Sequence, residues 1–234
     1  MPDPDNDTRR AELVASLGAL RARIAAAAEG VGRDPRSITL IAITKTYPAQ
    51  DIATLAELGV LDIGESRDQE ARPKAEQLRE LGLRWHLVGR LQTNKARSVA
   101  SYAAAVHSVD RMKLVRALTD ATHDRPEPLD VFVQVSLDGD PERGGAPASE
   151  LLALADAVAA CPSLRLRGLM AVPPIAADAD AAFAQLAELS RDLVAAHPGA
   201  SAISAGMSDD LEAAVKNGST HVRVGSALLG RRGP

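Results

Sequence analysis

Ser37-Ile38-Thr39-Leu40-Ile41-Ala42-Ile43-Thr44-Lys45-Thr46 is the stretch from which the fold is read. Residues 40–43 form an unbroken apolar run with β-branching, the pattern of a strand covered on both faces in a parallel sheet. Lys45 follows as the run ends, where such a strand opens into its loop. In α/β folds ligands bind beyond the carboxyl ends of parallel strands, so an amine there is placed to meet a small molecule. A solvated lysine at a strand end satisfies the same pattern.

Upstream, Leu13, Leu17, Leu20 and Ile24 recur at three and four residues and predict an amphipathic helix over about 8–29, with Arg9, Arg10, Arg21 and Arg23 toward water and Gly30 and Gly32 as its stop. Downstream, strand and helix alternate. Pro48 suits the first turn of a helix that ends at Gly59. Further strands are expected at 60–63, with a turn at Gly64-Glu65-Ser66, and at 84–89, 104–109, 129–137, 164–170, 200–204 and 221–224. Helices are expected behind them at 68–81, where Pro73 is a misfit, then at 94–102, from an Asp110 N-cap through 121, and at 148–160, 179–196, 211–216 and 226–229. Eight strand-helix pairs in single file predict an α/β protein built as one (β/α)8 TIM barrel over about 37–230 with an extra N-terminal helix. The 234 residues fit a single domain of this type, for which roughly 250 is typical. An open doubly wound sheet would carry a Gly-rich dinucleotide fingerprint after its first strand, and Thr44-Lys45-Thr46-Tyr47 contains no glycine.

The bulk composition narrows the partners. A formal charge of -4 and 2% aromatic residues offer neither attraction to phosphate backbones nor surfaces for bases to stack on, so nucleic acid is not expected. Cys161 is the only cysteine, which fits a reducing compartment. The first residues are acidic and Pro-rich, unlike a signal peptide, and the Ala-rich run at 25–28 is far shorter than the ~20 apolar residues of a membrane span. The expectation is a cytoplasmic protein without a membrane anchor.

On a closed barrel the first and eighth strands are neighbours, so Lys45 and Arg223-Val224-Gly225-Ser226 approach one mouth, and the seventh strand adds Ser204-Ala205-Gly206-Met207-Ser208. Loops after strands seven and eight are the usual phosphate site of this fold, where glycines permit close backbone approach. Amine, guanidinium, hydroxyls and amides would together suit a phosphorylated aldehyde. Singly, each has a plainer reading: Ser208 as a helix N-cap before Asp209-Asp210, Arg223 as a surface residue or salt-bridge partner, Gly225 as a turn glycine. His86 and His107 fall on neighbouring strands, where packing or hydrogen bonding is expected rather than metal ligation, since no third ligand stands at a recognisable spacing. Gly89 to Lys95 lacks the second glycine and the Ser/Thr of a nucleotide-binding loop.

Six ordered blocks carry a resemblance. Ile43-Thr44-Lys45-Thr46, Gly64-Glu65, Trp85-His86-Leu87-Val88-Gly89-Arg90-Leu91-Gln92-Thr93-Asn94-Lys95, Arg167-Gly168-Leu169-Met170, Gly206-Met207-Ser208-Asp209-Asp210 and Val222-Arg223-Val224-Gly225-Ser226 together resemble the pyridoxal phosphate homeostasis protein family, whose barrel is related to the N-terminal domain of alanine racemase. The resemblance implies that Lys45 holds pyridoxal 5'-phosphate (PLP) as a Schiff base, that Ser208, Gly225 and Ser226, with Met207 and Gly206 in the same loop, hold its phosphate, and that Arg223 faces the pyridine nitrogen. An arginine does not give up its proton, so that nitrogen stays unprotonated and the ring is a poor electron sink. Two positions depart from the family pattern: Ser66-Arg67 where relatives read Asn-Tyr, and Arg143-Gly144-Gly145 in place of a Lys-Ser-Gly. The first puts an amide contact in doubt and the second removes a candidate secondary acceptor lysine.

Three functions follow from these residues. The first is a monomeric, non-enzymatic PLP carrier that buffers the aldehyde and hands it to apo-enzymes. The second is a PLP-dependent amino-acid racemase, which requires a second base that neither Tyr47 nor Tyr102 evidently supplies, and a C-terminal β domain for which there is no room before Pro234; Lys45 as one base would still permit weak side activity. The third is a cofactor-free Schiff-base aldolase on Lys45, for which no general acid is identifiable.

Overall fold

Strand parity organises the molecule, because a parallel strand in a closed sheet must bury both its faces. The structure, a computed structural model, describes residues 4–140, 143–174 and 178–230. In chain order its elements are α1 (Pro4–Glu29), β1 (Thr39–Ile43), α2 (Ala49–Glu57), β2 (Asp62–Glu65), α3 (Asp68–Gln77), β3 (Arg84–Leu87), α4 (Ala96–Ala100), β4 (Ala103–Val109), α5 (Met112–Thr122), β5 (Leu129–Gln134), α6 (Leu151–Ala159), β6 (Leu164–Met170), α7 (Ala179–Ala196), β7 (Ala202–Ser204), α8 (Leu211–Lys216), β8 (His221–Val224) and α9 (Ser226–Leu229). The eight strands close into a parallel barrel in sequence order. The expected (β/α)8 barrel with a preceding helix is therefore what the chain forms. Among the described residues no helix is long and apolar enough to cross a membrane.

Outward-facing side chains build the core between sheet and helices. Ala42, Ile63, Trp85, Val222 and Val224 pack with Leu13, Leu17, Leu20 and Ile24 of α1, each of the last four buried as its spacing predicts. Val106, Val131, Val133 and Leu169 do the same on the far side with Leu114, Leu118, Leu154 and Phe183. Helix α1 packs on α8 and α9. Its arginines do more than face water: Arg9 pairs with Asp51 at 2.8 Å and donates to the Leu229 carbonyl at 3.0 Å, while Arg23 pairs with Glu212 at 2.7 Å.

Several boundaries differ from expectation for local reasons. β2 starts at Asp62 and runs through Glu65, so Glu65 is a strand residue and not part of a turn. Pro48 is the N-cap of α2 and not its first helical residue. The misfit of Pro73 is absorbed inside α3, which ends at Gln77, with residues 79–81 in a separate 3₁₀ turn. Asp110 pairs with Arg111 at 2.5 Å and leaves α5 without a side-chain cap. β5 stops at Gln134, beyond which a single bridge joins Val135 to Ala146.

Gly168 shows why one motif position tolerates no side chain. Its φ is +150°, and an added Cβ would lie 1.8 Å from the Ala202 carbonyl oxygen on β7. The β5–β6 register shifts between Val131 and Phe132, next to this glycine. Gly168→Ala should therefore cost about 3 kcal/mol or more in urea unfolding, since backbone must move to admit the methyl group. Gly199→Ala, with no neighbour within 4 Å, should stay within about 0.5 kcal/mol of the parent.

Candidate functional site

The pairing of β1 with β8 sets Ala42 beside Val224 and Ile41 beside Arg223. Gly225 consequently lies against Ile43, where an added Cβ would sit 3.4 Å from the Ile43 carbonyl oxygen. Lys45 follows β1 by two residues and is exposed. Among the described residues, no hydrogen bond or ion pair engages its amine. The β7 end arrives through Gly206, whose carbonyl accepts the Arg223 amide at 2.9 Å. At φ +92°, with a Cβ position only 2.6 Å from that of Ala214, Gly206 allows the loop to turn tightly over α8.

The hydroxyls expected at the site meet. Ser226 Oγ donates to Ser208 Oγ at 2.9 Å, and the Ala227 amide donates to the same oxygen at 3.2 Å. Ser208 thus caps α9, not α8, whose N-cap is Asp210. The Asp210 carboxylate accepts the Met207 amide at 2.5 Å, so it is folded back on its own loop. Met207 is exposed at the loop tip. Arg23 of α1 donates to the Ser208 carbonyl at 2.9 Å and braces this loop from behind.

Arg223 is neither a surface residue nor a salt-bridge partner. Val222 and Val224 point outward, so Arg223 points into the barrel, where it is buried and donates to Ser204 Oγ at 2.7 Å and to the Ala171 carbonyl at 2.9 Å. Burial lowers its pKa to about 10, still far above neutrality, so the guanidinium stays charged. Among the described residues no carboxylate pairs with it. Beneath it the interior is polar: Ser204 Oγ contacts His107 Nδ1 at 2.8 Å, His107 Nε2 contacts His86 Nδ1 at 2.9 Å, and His86 Nε2 contacts Asp62 Oδ1 at 2.9 Å. The two histidines hydrogen-bond, as their placement on neighbouring strands suggests. His107 also stacks on Phe132 with centroids 4.2 Å apart.

The Lys45 loop is held by residues that the sequence did not single out. Thr44 Oγ1 donates to Glu65 Oε1 at 2.7 Å. Lys74 Nζ donates to the Thr44 carbonyl at 2.9 Å and to Glu65 and Glu70 at 2.7 Å each. Glu70 in turn accepts the amide of Thr46, which stands at φ +69°. A β-branched residue in that region is strained, and the Glu65–Lys74–Glu70 cluster holds it there on both sides of Lys45. In the sequence Glu65 stands out only as half of a Gly-Glu pair, and Lys74 carries no signal beyond its i,i+4 spacing from Glu70. The departures from the family pattern lie elsewhere: Ser66-Arg67 lead from β2 into α3, and Arg143 pairs with Asp138 and Asp140 in the loop after β5.

Burial raises the Glu65 pKa, against the Lys74 and Thr44 hydrogen bonds that lower it. Lys74→Met should leave this carboxylate, 1% exposed and with Oε2 already unpartnered, without its cation. The expected cost is about 3 kcal/mol near neutral pH. In the variant the folded-state pKa of Glu65 rises further above its unfolded value, so the penalty is full at high pH. It should fade as pH falls toward about 4, where Glu65 is protonated in both states. Urea titrations of both proteins across pH 4–8 measure the difference.

Comparison with known proteins agrees with this geometry. The model of the alanine racemase N-terminal domain family matches residues 15–233. A pyridoxal phosphate homeostasis protein of Mycobacterium tuberculosis is 47% identical over 244 aligned residues, covering 96% of this chain and 94% of that protein. PipY of Synechococcus elongatus, solved with PLP bound, superposes with a TM-score of 0.82 at 32% identity, covering 93% of this chain and all of PipY. Alanine racemase of Corynebacterium glutamicum shares the fold alone, with a TM-score of 0.64 at 17% identity over 92% of this chain and 62% of that enzyme. The chain belongs to the pyridoxal phosphate homeostasis protein family.

Proposed function

We propose that this chain binds PLP reversibly through Lys45 and acts in the cytoplasm as a monomeric carrier, buffering the aldehyde and delivering it to apo-enzymes. The observation that carries the reading is the meeting, at the ends of β1, β7 and β8, of an unengaged amine, a buried guanidinium and two hydroxyls. The donor set fits the cofactor: the amine for its aldehyde, Ser208 and Ser226 with the Gly225 backbone for its phosphate, and Arg223 for its ring nitrogen, while the Met207 amide is already held by Asp210. When bound, PLP supplies an electrophilic carbon and a ring that accepts electrons when its nitrogen is protonated. A charged Arg223 opposite that nitrogen can only donate to it, which favours the unprotonated ring and storage over carbanion chemistry.

Two tyrosines bear on the racemase alternative. The Tyr47 hydroxyl donates to the Gly230 carbonyl at 2.6 Å, and the Tyr102 hydroxyl contacts Asp68 at 3.3 Å, with its pKa raised by burial. Each is turned into a structural bond, which supports the carrier reading.

Borohydride treatment after PLP addition, followed by peptide mass mapping, tests the assignment. Wild type should carry the reduced label on Lys45, Lys45→Ala should carry none, and Ser208→Ala should bind PLP about tenfold more weakly through the loss of one phosphate hydrogen bond. Labelling of another lysine in wild type overturns the site. Sustained turnover in an amino-acid racemisation panel overturns the carrier.

A further inference from the structure

Inside the barrel a continuous hydrogen-bonded chain runs from the cofactor end to the opposite face, and its polarity is fixed by its two ends. Arg223 only donates, so Ser204 Oγ accepts from Nη1. At the far end Asp62 is ionised: burial raises its pKa, but the hydrogen bonds from His86 and Arg84 outweigh that and hold it at about 2. A carboxylate only accepts, so His86 carries its proton on Nε2. In the arrangement with the fewest protons, His86 Nδ1 accepts from His107 Nε2–H, His107 Nδ1 accepts, and the Ser204 hydroxyl donates to it. Every bond in the chain then points from Arg223 toward Asp62.

The same atoms form a second hydrogen-bonded chain that holds one proton more. If Ser204 Oγ takes a proton from a solvent hydronium ion that reaches it past Arg223 at the mouth, releasing water, its original hydrogen passes to His107 Nδ1, and the His107 Nε2 hydrogen passes to His86 Nδ1. Ser204 and His107 each lose one O–H or N–H bond as they gain another, and His86 gains one and ends as an imidazolium against Asp62. His107 finishes neutral in the opposite tautomer and donates to Ser204 Oγ, whose own hydrogen is free to point elsewhere. The groups around His86 are Asp62 on β2, Arg84 on its own strand, His107 on β4 and His221 on β8, with Arg223 of β8 near His107 and His221 and Arg167 of β6 near His221. Among the described residues, Asp62 is the one carboxylate in direct contact with a ring of this group. His107, fully enclosed and beside Arg223, is held well below the usual histidine range and stays neutral. Asp62 and Arg84 line a cavity of about 490 Å³ at the N-terminal face of the barrel, with Arg21, Ile38 and Leu40 among its walls.

We propose that Ser204, His107, His86 and Asp62 are a proton relay that takes a proton beside Arg223 and stores it at the Asp62–His86 pair, so that the protonation of a deep histidine sets the orientation of the hydroxyl under the cofactor's ring. The cofactor limb of this statement rests on the function proposed above; the two-state relay does not. Ser204, His107 and His86 act through Arg223 and are positioning residues. The role would make the loaded protein's response to pH depend on groups that never touch PLP.

The test begins with the cofactor-free wild type, labelled with ¹⁵N-histidine and followed by long-range ¹H–¹⁵N spectra during acidification, with ring assignments from His86→Gln and His221→Gln. The relay requires His107 protonated on Nε2 at neutral pH, and a switch to Nδ1 over the same pH interval in which His86 becomes an imidazolium. A His107 that keeps its Nε2 proton while His86 charges, or a protein that unfolds with both rings neutral, overturns the relay. Asp62→Asn should move the switch to lower pH by about one unit or more by removing the paired charge; an unmoved switch also overturns it. Should that variant fail to fold, the wild-type spectra decide. In PLP-loaded protein, the absorption band should change across the same interval in wild type and not in His86→Gln, and an identical profile in both overturns the link to the cofactor. A wild type that takes up no PLP yet shows the tautomer switch sinks the proposed cofactor function and leaves the relay standing.

Discussion

The pairing of β1 with β8 is the contact on which the site depends. Closure fixes which residue of the last strand lies beside each residue of the first, and a slip by one would turn Arg223 out into the helix layer and Val222 or Val224 into the barrel. Burial makes such a slip expensive. Val222 and Val224 are completely buried against α1 and α8 residues, while an outward Arg223 would bring a charge into that apolar layer. The hydrophobic pattern of four residues thus sets the register, and the register carries Gly225 and Ser226 to Ile43 and so to the root of the Lys45 loop.

Burying a charged and histidine-bearing layer inside a barrel carries a desolvation cost that branched aliphatic side chains would avoid. Here the cost is offset by connection. Arg223, Ser204, His107, His86 and Asp62 each find a partner within 2.9 Å, and Arg84 completes the line at the Asp62 end. Apolar neighbours keep water from competing: Phe132 stacks on His107 and meets His221 edge-on with centroids 5.2 Å apart. The Lys45 loop is organised on the same principle at a smaller scale, with one ammonium, Lys74, joining two carboxylates and a backbone carbonyl.

The fold was legible because strand and helix alternate with different apolar periods, and the mouth was legible because a closed parallel barrel makes neighbours of its first and last strands. Lys45, Gly206, Ser208, Arg223, Gly225 and Ser226 came together on that topology. Partners were less legible. Ser208 reads as a cap for the helix that follows it in sequence, yet it caps α9, because the hydrogen bond is chosen by tertiary position. Asp62 and Ser204 each look ordinary in their own strands and acquire meaning only through side chains 24 and 97 residues away from a histidine partner. Glu65 reads as a turn residue after Gly64; that glycine instead clears space for Ile41 and Ile43 inside the barrel.

The contact between Arg23 and the Ser208 carbonyl, together with the β1–β8 pairing, has a consequence for the order of events during synthesis. Lys45 and Arg23 are translated early, whereas every hydroxyl and amide assigned to the phosphate comes from residues 207–227. A nascent chain with seven strands therefore displays the Lys45 amine and has no cradle to go with it. On the proposed site, capture of a free aldehyde by a half-made chain would lack the contacts that hold the ligand, which would couple loading to barrel closure. In this architecture the proposed cofactor site is among the last things to exist, although its proposed nucleophile is among the first to be made.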